Sequence, residues 1–297
     1  MKNTSAILFG LLCLLSKILI AQQPTHAQAT KQESASYFLA DVTYISDAVF
    51  MGRRDSIAAP YIIPSIGYYD RSGIYADASL SYLVGTEEKR VDLMLLTVGY
   101  RYNAKKLNGD MSATAYFYND ESYNVQSEVN ADLTASLGYD FDILQAKLSA
   151  ITYFTQESKN DFFLSLSLEK QIEAFKNNLH IIPTIDLNAG SQNFYEEYYR
   201  NNRLGNRKGQ GSGGTDLSTI AIAQSTDFSI LSLDLSLPIY YYHDQYIFSL
   251  NPVVSLPQNP AIITAEDVIF EEDLENAFFI SLGISYWFET SKKSNAH

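Results

Sequence analysis

"AFFISLGISYWFE", residues Ala277–Glu289, places a large apolar side chain at every second position: Phe278, Ile280, Leu282, Ile284, Tyr286 and Phe288. Between them stand mostly small or polar residues, among them Ser281, Gly283 and Ser285. Strict period two is the signature of a β-strand with two unlike faces. The same pattern recurs in "DFFLSLSLEK", where Phe162, Leu164, Leu166 and Leu168 oppose Ser165, Ser167 and Glu169. It recurs again in "FSILSLDLSLPIYYY", "VNADLTASLGYD" and "GIYADASLSYLV".

Twelve such segments lie near 37–50, 59–70, 73–84, 89–103, 109–119, 128–140, 143–156, 160–171, 179–191, 227–242, 245–256 and 277–289. Most run about 10–15 residues, longer than the roughly 5–6 of soluble strands and enough for the ~9–11 that a tilted membrane strand needs. Two are irregular: "VDLMLLTVGYRY" is apolar on both faces, and "YIIPSIGYY" carries Pro64. The even-numbered connections are short, with "DRSG", "AKKLNG", "DFD", "EAFKNN" and "HDQ" at their tips. The odd-numbered ones are mostly longer, the seventh ("QESKN") excepted. Sorting of turns to one rim and loops to the other characterises outer-membrane barrels, and an even strand count returns both ends of the chain to the turn rim. The expectation is an all-β fold: a transmembrane, antiparallel, up-and-down β-barrel of twelve strands. Large residues would face lipid and small polar ones a lumen. Closure pairs every backbone group that hydrocarbon would otherwise leave unsatisfied. Tyr68, Tyr69, Tyr100, Tyr102, Tyr240, Tyr241, Tyr242, Tyr286 and Phe288, near strand ends, are expected to form aromatic girdles. A soluble exported β-protein is the alternative.

Composition agrees. The chain has 297 residues, 46% of them hydrophobic, with 22 Tyr and a single Cys. Tyrosine suits boundaries, where the ring is buried and the hydroxyl is wet. The net charge of −13 argues against nucleic acid as a partner. Residues 1–29 read as an export signal: Lys2, the apolar stretch "AILFGLLCLLSKILIA", then "AQA" at 27–29. Cleavage after Ala21 is an alternative, and the apolar run before Lys17 is too short to span a membrane. Cys13 lies inside this segment behind Leu12, where lipidation would want a small residue. After removal the chain carries no thiol. Residues 30–297 then form one barrel, with long extracellular loops near 192–226 and 257–276. The expected location is the outer membrane of a Gram-negative bacterium, with lipid as the surrounding partner; a homo-oligomer is compatible with such a barrel.

"YISDAVFMGRRDSIAAP" resembles the first strand and loop of a porin family of Gram-negative outer-membrane β-barrels. Tyr44, Ser46, Asp47, Gly52 and Pro60 match that pattern, whereas Met51 stands at its Arg and Ala48 at its aromatic position. The resemblance covers the N-terminal strand and loop only. It implies a porin-like barrel, and no functional residue is carried over.

Strand parity turns Asp41, Asp77, Asp132, Asp140, Glu169, Asp186 and Asp234 toward the lumen, with Lys147 and His180 as basic candidates. They either pair within a closed interior or line a narrow pore that attracts cations. Small inward residues favour the pore; Met94, Ile151, Tyr153 and Phe163, if inward, favour closure. The ninth connection holds Arg200, Arg203, Arg207 and Lys208, and the eleventh holds Glu271, Glu272 and Asp273. These read as hydrated loops of opposite sign; a basic lid over the acidic lumen is the sharper reading. The acids lack the spacing of a calcium-binding hand, and "GQGSGG" lacks the ending of a phosphate loop, so neither a metal nor a cofactor is expected. No catalytic residue is assigned. Neither His180 nor His243 has a serine two positions on, as barrel esterases do. The expected function is passive diffusion of small polar or cationic solutes. The alternatives are a non-conducting barrel whose loops bind a partner, as adhesin, receptor or scaffold, and, behind it, a lipid-modifying enzyme.

Overall fold

The structure, a computed structural model, describes residues 35–54, 58–85, 89–119, 122, 124–155, 160–196, 221–223, 227–265 and 268–290. Residues 1–29, expected from the sequence to be an export signal, lie outside the described residues. The strands are β1 Tyr37–Ile45, β2 Tyr61–Tyr69, β3 Ile74–Leu83, β4 Arg90–Ala104, β5 Leu107–Tyr118, β6 Val129–Asp140, β7 Gln145–Thr155, β8 Asp161–Glu169 and β9 Ile172–Ala174. There follow β10 Leu179–Ile181, β11 Thr184–Gly190, β12 Ala221–Ala223, β13 Ser229–Ser236, β14 Ile239–His243, β15 Tyr246–Pro257, β16 Ile262–Ala265, β17 Val268–Glu271 and β18 Ala277–Glu289.

Fifteen of these form one antiparallel sheet that closes on itself. β1 pairs with β2 on one side and with β18 on the other, from Tyr37↔Glu289 to Ile45↔Ser281. β8 and β9, β10 and β11, and β13 and β14 are each one stave interrupted for two residues, so the wall has twelve staves. β12, β16 and β17 form a separate three-stranded sheet from the two long connections. The tight turns of one rim hold left-handed residues at Gly73, Lys105, Asp142, Phe175, Lys176, Asn177 and Asp244.

The alternation resolves as two faces. Phe278, Leu282, Ile284, Tyr286 and Phe288 point outward, while Ser281 is buried inside. β4 reads as apolar on both faces because its register slips opposite Ser81/Tyr82, taking Asp92 as an extra residue. Beyond that bulge Leu96, Val98, Tyr100 and Tyr102 face lipid, and Leu93 and Leu95 are buried in the interior. The girdle expectation needs correction at Tyr69 and Tyr240, which are buried inside the barrel, and at Tyr242, which packs on the same inner cluster. Runs of adjacent tyrosines alternate between the faces, so only every other one can reach the lipid interface. Ile284 lies near the middle of its stave on the outer face. Ile284→Arg is expected to destabilise the barrel by about 2–4 kcal/mol, measured by denaturant unfolding in phospholipid vesicles.

On the turn rim, the Asp70 carboxylate accepts hydrogen bonds from the Ser36 hydroxyl (2.6 Å), the Ser72 amide (2.9 Å) and the Tyr68 hydroxyl (3.1 Å). These donors, Ser36 first, hold its pKa well below the ordinary carboxylate value. Stability from a depressed carboxylate pKa is present above the unfolded value and lost as pH falls through the folded one. Asp70→Asn is therefore expected to lower stability at neutral pH and to flatten the acid limb below about pH 4, so that wild type and variant converge at low pH, by unfolding at stepped pH.

Candidate functional site

The lumen divides into three levels. At mid-height is a cavity of about 330 Å³ lined by Asp41, Asp77, Glu169, Asp186 and Asp234, with Lys147 the basic group among them. Pairing sets this arrangement. Lys147 stands opposite Ser167, Ser167 opposite Asp186, Asp186 opposite Asp234, and Asp234 opposite Ser255. Five adjacent staves thus put one belt of polar groups at a single level. Like charges directly opposite one another are unfavourable, and serines sit beside both carboxylates. Ser167 donates to Asp186, and Ser255 to Asp234. Asn188 Nδ2 also donates to Asp234 Oδ2 at 2.8 Å. Across the lumen, Asp41 accepts from Ser285 Oγ (2.6 Å) and Thr43 Oγ1 (2.8 Å). Hydroxyl donors satisfy these carboxylates without adding positive charge, so among the described residues the chamber keeps five acids against one ammonium.

Three candidates lie elsewhere. Asp132 is buried nearer the loop rim and accepts from the Tyr116 hydroxyl at 2.9 Å. Asp140 keeps inward parity but ends its strand, is exposed on the turn rim, and accepts from the Asp142 amide at 2.7 Å. His180 is buried below the chamber, with Nε2 2.9 Å from the Asn177 carbonyl and its ring edge-on to Tyr242.

Above the chamber the mouth is filled. Phe50 and Arg53 exchange two backbone hydrogen bonds of 2.8 Å around Met51 (φ 49°) and Gly52 (φ 78°), a two-residue hairpin turn with both φ positive. A Cβ on Gly52 would lie 2.7 Å from that of Pro257, so glycine lets the hairpin seat against the wall. The hairpin carries Phe50 into an aromatic cluster, with ring centroids 5.0 Å from Phe194, 5.4 Å from Phe163 and 5.6 Å from Tyr153. Phe194 and Tyr195 come from a single helical turn, 193–196, held by Asp161, which accepts from the amides of Asn193 (2.9 Å) and Phe194 (2.7 Å). Ile263 of β16 packs into the same cluster from above.

The plug is tied by a buried ion pair. Arg53 lies 3.6 Å from Glu272 and donates to the carbonyls of Met51 (3.1 Å) and Asn259 (3.0 Å). Glu272 also accepts from the Tyr195 hydroxyl (2.5 Å) and the Ala261 amide (3.1 Å). The eleventh connection is therefore not simply a hydrated acidic loop. Its β16–β17 hairpin turns Glu272 inward and leaves Glu271 and Asp273 exposed. Among the described residues its cationic partners are Arg53 and, for Glu275, Arg54 at 3.6 Å, both from the first loop. Arg200, Arg203, Arg207 and Lys208 lie outside the described residues. Of the four bulky candidates, Ile151, Tyr153 and Phe163 are buried in the plug; Met94 falls on the outer side of β4. The first loop offered one sequence signal of its role, an apolar "AVFM" where a hydrated loop would be polar.

Below the chamber, Tyr37 stacks on Tyr69 at 5.0 Å and Tyr69 on Tyr75 at 5.6 Å. The Arg101 guanidinium lies 4.9 and 4.7 Å from the latter two rings. Gly99 makes room for this stack, since a Cβ there would meet the Tyr75 ring at 2.5 Å. Ile182, Tyr240 and Ile247 complete the seal. Among the described residues no group of three His, Cys, Asp or Glu side chains is placed to hold a metal ion.

A closed antiparallel wall of twelve staves, apolar outside and polar within, defines a transmembrane β-barrel of the outer-membrane type. No protein-family model matches the chain, and no curated protein matches it in sequence. Among solved structures, the chain is similar to a KdgM porin at 10% identity, covering 84% of this chain and 99% of that one with a TM-score of 0.47. It is similar to NanC porin at 9% identity, covering 84% and 98% with a TM-score of 0.48. It is also similar to LpxR from Salmonella typhimurium at 10% identity, covering 86% and 100% with a TM-score of 0.42. Likenesses this distant carry no assignment of activity.

Proposed function

We propose that this barrel is a porin-like channel that passes small polar or cationic solutes by diffusion, with no chemical step. The observation that carries this reading is the chamber: among the described residues five carboxylates face one lysine inside a closed wall. Fixed negative charge in a confined, poorly solvated space concentrates cations and repels anions. The resemblance of "YISDAVFMGRRDSIAAP" to a porin family supports the same reading. The conformation described is the closed one, with the mouth filled by the first-loop hairpin.

Reconstitution in planar bilayers tests it. Discrete conductance steps are expected, with a reversal potential under a KCl gradient on the potassium side. A chloride-side potential would remove the acidic chamber as the selectivity element. The aromatic plug favours a second reading, a barrel that does not conduct and whose loops bind a partner. Bilayers that stay silent even after the plug is removed would select it.

A further inference from the structure

Three prolines occupy neighbouring staves at one level of the wall. Pro183, Pro238 and Pro252 accept backbone bonds from Lys170 (3.2 Å), Ile182 (2.8 Å) and Leu237 (3.1 Å) respectively. A hydrogen-bonded antiparallel pair normally exchanges two bonds, and proline cannot return the second. Three successive strand interfaces therefore each lose one ladder bond along a single line. The staves break on that line: β8 ends at Glu169, β10 at Ile181 and β13 at Ser236. The Ile182 carbonyl is met instead by the Thr184 hydroxyl at 2.9 Å.

Below the line hang the short strands β9, β10 and β14. Among the described residues β9 pairs with β10 alone, because β7 starts at Gln145, opposite Glu169. One side edge of this piece is thus unpaired, and the other continues into β15 through β14. Its tip carries three successive left-handed residues, Phe175, Lys176 and Asn177, none of them glycine. Such backbone costs roughly 1–2 kcal/mol per non-glycine residue. The inner side of the piece delivers Tyr240, and its upper margin Ile182, to the seal beneath the chamber.

We propose that β9, β10 and β14 form a flap, hinged on the proline row, that closes the turn-side end of the lumen and opens it by bending there. Its role as a gate rests on the channel reading above; its hinge does not. Hydrogen exchange by mass spectrometry in nanodiscs reads the hinge. Amides of β9, β10 and β14 are expected to exchange faster than those of β11 and β15 in the wild-type protein. Pro183→Ala and Pro238→Ala, made singly, each restore a donor and are expected to slow flap exchange about fivefold. Pro64→Ala, off the row in β2, is expected to leave it unchanged. Flap amides as protected as β11, or unmoved by the row variants, would overturn the hinge, and the wild-type map decides this even if a variant misfolds. Bilayer recording in a Phe50→Ala background, where the mouth is not limiting, reads the gate. Fewer transitions in the row variants support it. Unchanged transitions overturn the gate and leave the channel standing, whereas silence from every variant overturns both.

Discussion

Phe50→Ala is expected to convert a largely closed barrel into one with sustained conductance. The Phe50 ring is only 2% exposed and touches three other aromatic rings contributed by three separate segments. Truncating such a ring costs about 3–5 kcal/mol, which moves the ratio of docked to undocked hairpin by roughly two orders of magnitude or more. The wall is spared, because its strands pair without help from this loop. Single-channel recording with wild type and variant in parallel measures the change, and equal open probability in the two would sink the plug as the closure. Arg53 gives an independent handle. Its removal leaves Glu272, whose side chain is 6% exposed, without its buried cationic partner. Loss of one partner of a buried pair costs about 3–5 kcal/mol, so Arg53→Ala is expected to release the hairpin as well. The double variant with Glu272→Gln is expected to recover part of that loss, read from protease sensitivity of the first loop.

The second large effect concerns selectivity. In the Phe50→Ala background, Asp186→Asn together with Asp234→Asn is expected to lower the potassium-to-chloride permeability ratio about tenfold. Two charges near a permeating ion are each worth about 1 kcal/mol even at the dielectric of water, and more in a confined lumen. Asparagine keeps the shape and still accepts from Ser167 and Ser255, so the change reports charge rather than collapse. Lys147→Met is expected to shift selectivity further toward cations. A ratio that stays put in the double variant would place the selective element elsewhere in the lumen.

Much of the architecture was legible before any coordinates. The alternation in Ala277–Glu289 marked its outer face, and Phe278, Leu282 and Ile284 lie there. The short segments "DRSG", "DFD" and "HDQ" marked one rim because tight turns need few residues and left-handed backbone, as at Gly73, Asp142 and Asp244. Inner-facing residues were harder. Parity gives a side chain's face, and says nothing of its height on the wall or of what folds over it. Asp140 and Asp186 share inward parity, yet one ends on the rim in water and the other stands in the chamber belt.

The wall itself was therefore determined by the sequence alone, since a two-residue period and the length of each run are local properties that hydrocarbon reads strand by strand. Only the tertiary structure decided what fills the lumen. Arg53 and Glu272 meet across 219 positions of chain, and Pro183, Pro238 and Pro252 fall into one row only once stave register is set. Register depends on how the whole cylinder closes, a property that no single strand carries.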